Sequence, residues 1–435
     1  MSTKLIKQWG LNVVLVLFGI LLALAAVEIA LRVTHYKEYL LRSQFYGYPK
    51  FYFRADAQSG FDISDNFPAR MLHFADGDTM IWSNEMGCFD YPYQNEENYI
   101  LLVGDSFTWG YAPFETKFGT IIEKYSGHRV LKCGVSGYGS KQEMIKIRNI
   151  AARTGKMPSL IIVGYCIGND LKDDYLFPHI TFQDGYLLNK TIIGDLATGE
   201  KSVYSGAELK DQLDNWKNFG LNKQPSHPYL QRLHWWSKQK FLFYNILLEQ
   251  GFLKNLLLHI ASGGDTDTSE NEHNVFNQGM PYISLDTYPW VKNAWNKHLS
   301  TLNDISEFSK GSGTKVLFVL IPMKEQIYDA LRVPGDYHWG QPNEIVKEYF
   351  RKHSVAFIDL MPLFRDYVKH MGSKKTGYEQ DLYWRNDAHW NIKGNKLAGL
   401  LVTKYLIENN LVKVADRQKT EKRIVDDITS LETER

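Results

Sequence analysis

Five short apolar runs recur along the chain: 98–104, 129–133 (Arg-Val-Leu-Lys-Cys), 159–165 (Ser-Leu-Ile-Ile-Val-Gly-Tyr), 315–321 (Lys-Val-Leu-Phe-Val-Leu-Ile) and 355–359 (Val-Ala-Phe-Ile-Asp). Short near-continuous apolar runs read as buried strands. Between them, apolar residues fall at helical spacing near 115–126, 140–153, 290–309, 343–352 and 392–408. Apolar strands alternating with helices predict a parallel sheet covered on both faces.

The pattern breaks in four places. Asn12 to Val27 carries no charge, and with Gly10 and Leu11 it approaches the length that spans a hydrocarbon core. Ala23-Leu24-Ala25 has the form of a signal-peptide cleavage site, but the apolar run continues past it, which favours an uncleaved anchor over 1–35. Lys4 and Lys7 before the span argue for a cytoplasmic N-terminus, against Arg32, Lys37 and Arg42 just beyond it. The chain outside the anchor is therefore expected outside the cytoplasm. Residues 35–95 are aromatic-rich without clear period. About 175–285 reads as an insertion, a cap or subdomain with a helical segment near 228–260 (His234-Trp235-Trp236) and a polar stretch from Ser262 to Glu270. From Asp416 to Arg435 both charge signs are dense, which predicts a solvated helix or a disordered end after a 36–415 domain.

Composition adds exclusions. A formal net charge of +1 gives no electrostatic case for nucleic acid. Three cysteines, Cys88, Cys133 and Cys166, show no zinc spacing. Cys133 and Cys166 end apolar runs and are read as small buried residues. A strand between them argues against a disulfide. No metal and no cofactor are expected. Trp235, Trp236, Trp290, Trp295, Trp384 and Trp390 offer faces that can stack on sugars, with core packing as the competing reading.

The chemistry-bearing residues follow the predicted strands. Gly104-Asp105-Ser106 ends the first and places Ser106 at a strand's carboxyl end, where open α/β sheets build their sites. Cys133-Gly134-Val135-Ser136-Gly137-Tyr138-Gly139 follows the second, and its glycines let backbone N–H groups approach a ligand. Its order is not that of a dinucleotide fingerprint. Gly168-Asn169-Asp170 follows the third and supplies a side-chain N–H donor. Asp387 and His389 share one loop before the last helix. Each piece alone is an ordinary turn. Together they supply a nucleophile, a base with an orienting acid, and oxyanion donors, which is the kit for acyl transfer.

These four segments, in this order, resemble the blocks of the SGNH (GDSL-type) hydrolase superfamily. The resemblance spans Gly104 to His389 and implies a three-layer, flavodoxin-like α/β fold. It implies Ser106 as nucleophile, His389 as base, and Ser106, Gly137 and Asn169 as oxyanion donors. Asp105 is expected to hold the nucleophile loop. The commonest pattern puts the acid three residues before the histidine, and Asn386 stands there. Asp387 lies two before, a spacing similar to that of the membrane-linked branch of bacterial polysaccharide O-acetyltransferases, with Asp381 as the fallback acid. The implied function is an esterase or O-acyltransferase acting on an extracytoplasmic glycan. Its expected partners are an acylated carbohydrate or acyl donor, the membrane through the N-terminal helix, and a membrane acyltransferase. A lipid esterase or phospholipase, and a non-catalytic glycan-binding protein, are the alternatives.

Overall fold

The computed structural model describes residues 3–33, 47–74, 77–195, 197–218, 241, 243, 288–332, 338–370, 382–384 and 387–433. The chain divides into two compact units. The first takes Met1–Tyr46, Phe74–Gly77 and Gly220–Thr268; the second takes Gly47–His73, Asp78–Phe219 and Ser269–Arg435. The first unit holds helix α1, Thr3–Val33. Its Val14–Leu31 window has a mean hydropathy of 2.8, so by length and composition the helix can cross a membrane.

The second unit is built on five parallel strands: β1 (Tyr99–Gly104), β2 (Arg129–Lys132), β3 (Leu160–Cys166), β4 (Lys315–Ile321) and β5 (Ala356–Asp359). Their order is β5-β4-β3-β1-β2. This is the flavodoxin-like order with the edge strand β2 written first, as the resemblance implies. Adjacent strands pair in parallel throughout, for example Leu101 with Ile161 and Leu317 with Ile162.

Every residue of β1 and β3 is buried, which is why both read as continuous apolar runs. Alternate side chains serve two cores. Ile100 and Leu102 face helices α2 (Phe118–Ser126), α6 (Leu360–His370), α7 (Ile392–Glu408) and α8 (Arg417–Thr433). Tyr99, Leu101 and Val103 face α3 (Ser140–Thr154), α4 (Pro289–Gly311) and α5 (Gln341–Lys352). Truncating Leu101 or Leu102 to alanine is expected to cost about 2–5 kcal/mol.

Several expectations need correction. Cys133 is not an unpaired core residue: it is disulfide-bonded to Cys88, and both are fully buried. The strand between Cys133 and Cys166 is indeed there, as β1, and Cys166 is free and buried. Of the aromatic stretch before β1, residues 47–74 and 77–95 are described. It contains the hairpin Phe53–Asp56/Gly60–Ile63, and buried Asp90 accepts from Lys132 N and from Arg129 Nη1, each at 3.0 Å. The insertion opens with β-structure rather than helix. Ile180–Gln183 pairs with Tyr186–Asn189, Thr191–Asp195 pairs with Glu200–Val203, and a helix follows over Gly206–Asn218. Helix 228–260, apart from residues 241 and 243, and the polar stretch from Ser262 lie outside the described residues. The charged C-terminal stretch is helical but not fully solvated, because Ile424 and Leu431 of α8 are buried in the core.

Candidate active site

All five strands run the same way, so the loops after β1, β2, β3 and β4 gather at one edge. The order reverses between β1 and β3, where open sheets form a crevice. Ser106 and Asn169 emerge on its two sides.

Ser106 opens the short helix Ser106–Trp109, and Asp105 caps it by accepting from Phe107 N at 2.8 Å. Asp105 therefore holds the turn, as the sequence reading expects. At the other end, buried Lys117 donates to Trp109 O at 2.6 Å from between the Phe89 and Trp109 rings. The loop after β2 crosses close above this turn. A Cβ on Gly134 would sit 2.5 Å from Trp109 N, and Gly137 has φ +84°, a conformation that glycine adopts freely. Among the described residues neither the Ser106 N–H nor the Gly137 N–H donates to a protein acceptor. Ile180, in the first strand of the insertion, lies against Gly137.

His389 sits in a tight loop closed by Trp384 N donating to His389 O at 2.9 Å, by the bridge between Tyr383 and Trp390, and by Asn391, which caps α7. Its Nε2 lies 2.7 Å from Ser106 Oγ. Its Nδ1 is hydrogen-bonded to Asp387 Oδ1, which also accepts from His389 N at 2.8 Å. Phe107 and Tyr111 wall the imidazole, with ring centroids at 4.8 and 4.4 Å. Ser106, Asp387 and His389 thus come together as one hydrogen-bonded chain across 283 positions of sequence.

The electrostatics follow from burial and pairing. Burial works to raise the Asp387 carboxyl, but the His389 charge, two hydrogen bonds from His389 and the Lys324 charge outweigh it and hold the group below its ordinary range. Burial works to lower His389, yet the Asp387 carboxylate and its hydrogen bond, with help from Asp105, raise it above an ordinary histidine. Burial lifts Asp105 against the pull of His389, the Phe107 N–H and the Asn169 side chain. Asn169 precedes the helix Asp170–Leu176, and its backbone O accepts from Asp173 N at 2.8 Å.

Asn386 and Asp381 lie outside the described residues. Of the tryptophans, Trp290, Trp295 and Trp390 are buried and pack the core, Trp384 donates its indole N–H to Tyr111 O at 2.7 Å, and Trp235 and Trp236 lie outside the described residues. Two residues escaped the sequence reading. Lys324, just beyond β4, donates to Trp384 O at 2.6 Å and Asp387 O at 3.2 Å, clamping the acid loop. Its strand-end position was the available signal. Tyr111 carried none.

Residues 291–430 match the family model described as the SGNH hydrolase-like domain of the acetyltransferase AlgX. No curated protein matches the chain by sequence. Similar solved structures include the acetyl xylan esterase AlAXEase (11% identity, 69% of this chain and 96% of that one, TM-score 0.35). A catalytic mutant of an acetylxylan esterase from Geobacillus stearothermophilus gives 12% identity, 70% and 94% coverage and a TM-score of 0.31. A GDSL-like lipase from Bacteroides thetaiotaomicron gives 11%, 74% and 91%, with a TM-score of 0.29. By this family match residues 291–430 are SGNH hydrolase-like, and the segment carries the loop on which Asp387 meets His389.

Proposed function

We propose that this chain is a serine-dependent ester hydrolase or O-acyltransferase that works through an acyl-enzyme on an extracytoplasmic glycan. The hydrogen-bonded order Ser106–His389–Asp387 carries the reading. His389 Nε2 takes the Ser106 proton as Oγ attacks the ester carbonyl, and Asp387 holds the tautomer and stabilises the imidazolium. The N–H groups of Ser106 and Gly137 and the Asn169 amide receive the developing oxyanion. The leaving alcohol takes the proton back from His389. Water or a sugar hydroxyl then attacks the acyl-enzyme, giving hydrolysis or transfer.

The matched family is described as an acetyltransferase, so acetyl is the acyl group to test first. Two features favour a location outside the cytoplasm: the buried Cys88–Cys133 disulfide, which suits an oxidising compartment, and the apolar α1. We assign 1–35 to an anchor and 36–415 to the catalytic domain. The first hairpin of the 175–285 insertion would shape the acceptor side next to Gly137. The intact triad weighs against a non-catalytic binding role.

The test is a substrate panel: acetylated glycans, each with and without a free glycan acceptor, against long-chain acyl esters. Release of acetate from the glycans, or its movement to the acceptor, is expected. Preference for long-chain esters would replace the glycan reading with the lipid one.

A further inference from the structure

Tyr111 lies two residues past the nucleophile helix and is buried where three loops of the candidate active site meet. Its backbone O accepts from Trp384 Nε1 at 2.7 Å, and Trp384 N in turn donates to His389 O at 2.9 Å. Its ring lies against the His389 imidazole, with centroids 4.4 Å apart. Its hydroxyl shares a hydrogen bond with Ser136 Oγ at 3.2 Å and another with Tyr48 OH at 2.5 Å. One side chain therefore touches both the base and the residue before Gly137.

Ser136 and Gly137 are the central residues of a tight turn. Tyr138 N donates to Val135 O at 3.1 Å across it, and Gly137 has φ +84°, which is what the third residue of a type II turn requires. Both flanks are pinned. Val135 N donates to Gly104 O at 2.9 Å, at the end of β1. Tyr138 is buried and donates its hydroxyl to Phe61 O at 2.7 Å. The peptide joining Ser136 to Gly137 has no such anchor: among the described residues it neither donates nor accepts a backbone hydrogen bond.

A glycine in the third position leaves two orientations of that peptide open. One is the type II turn seen here, and the other is the type I turn, whose central peptide is turned over. The N–H concerned is that of Gly137, and turning the peptide over carries it to the opposite face of the turn. Something outside the turn has to choose between the two, and the Ser136 side chain is held by Tyr111.

We propose that Tyr111 is a positioning residue whose hydroxyl, through Ser136 Oγ, holds the Ser136–Gly137 peptide in the orientation that presents the Gly137 N–H to the oxyanion. Tyr48 closes the hydroxyl chain from the other side. The ring of Tyr111 backs the His389 imidazole, so the base and the donor are set from one residue. This inference rests on the acyl-enzyme reading of Ser106, with Gly137 as a donor.

The test uses the full chain, with steady-state hydrolysis of a small acetyl ester and a thermal melt of each variant. Tyr111→Phe keeps the ring on His389 and removes the hydroxyl. It is expected to lower kcat about fivefold, the worth of one hydrogen bond, with KM little changed. The pH at which the rate rises through His389 is expected to stay in place. Ser136→Ala removes the same bond from its other end and is expected to match Tyr111→Phe. The double variant is expected to fall no further than either single one, because both hydroxyls act through one bond. Wild-type kcat in Tyr111→Phe, whatever its melting temperature, overturns the proposal, and so do losses that multiply in the double variant. A shifted pH profile in Tyr111→Phe also overturns it, by putting the effect of the hydroxyl on His389 instead. If Tyr111→Phe does not fold, Ser136→Ala decides alone, and wild-type kcat there overturns the proposal. Ser106→Ala is run beside them: its full activity would overturn the acyl-enzyme reading itself, whatever the other variants do.

Discussion

Replacing Asp387 by asparagine tests the least conventional member of the triad. In the native protein Asp387 Oδ1 takes both the His389 ring N–H and the His389 backbone N–H. An asparagine can turn its NH₂ toward Nδ1 and so favour the tautomer with hydrogen on Nε2. Nε2 is the atom 2.7 Å from Ser106 Oγ, and once protonated it cannot take the serine proton. The same substitution removes the charge that stabilises the imidazolium. The loss in kcat is expected to reach about 10⁴, or about 5.5 kcal/mol of transition-state stabilisation. The pH profile has a definite sign. Burial alone would lower His389, and Asp387 raises it. Wild-type activity, which needs neutral His389, therefore rises with pH through a value above that of an ordinary histidine. Without the carboxylate, burial prevails, and the residual activity rises at lower pH. Steady-state hydrolysis of a small acetyl ester between pH 5 and 9 measures both effects. Near-native kcat in Asp387→Asn, with the rate lost instead in Asp381→Asn, would refute the assignment; Asn386→Ala is expected to cost far less.

Three further outcomes are expected. Asn169→Ala should lower kcat by about 10²–10³ with little change in KM, as removal of one oxyanion donor does, and an unchanged kcat would take Asn169 out of the site. Cys88→Ser opens a cross-link between positions 45 apart in sequence. Chain entropy puts its loss at about 4 kcal/mol, read in denaturant melts under non-reducing conditions, and equal midpoints would remove the disulfide from the stability of the domain. The chain should stay with membranes through a carbonate wash and be released when residues 1–35 are deleted; full-length protein in the soluble fraction would contradict the anchor.

The sheet was legible because its strands are buried on both faces. Near-continuous runs such as Ile161-Ile162-Val163 leave little ambiguity, and the five observed strands lie within a residue or two of the expected bounds. The sheet-edge turns were legible for a related reason, since Gly-Asp-Ser and Gly-Asn-Asp interrupt those runs abruptly. The N-terminal hairpins were not, because Phe53 packs on Phe61, Tyr52 on Trp109 and Trp82 on Phe89, a packing with no sequence period. The Cys88–Cys133 bond was hidden in the same stretch: its partner strand was visible, and the turn bearing Cys88 was not. α6 was missed because it starts directly at the end of β5 without a loop to announce it. Tyr111 looks like one more aromatic in one dimension. Only the convergence of three loops puts it between His389 and Ser136.

The central claim is that Ser106 attacks, and covalent labelling tests it most directly. The purified full-length chain is treated with a fluorophosphonate and digested, and the modified peptide is identified by mass spectrometry. One adduct is expected, on Ser106, formed faster as His389 loses its proton and absent from Ser106→Ala. Undiminished labelling of Ser106→Ala, or an adduct on another serine, would contradict the account.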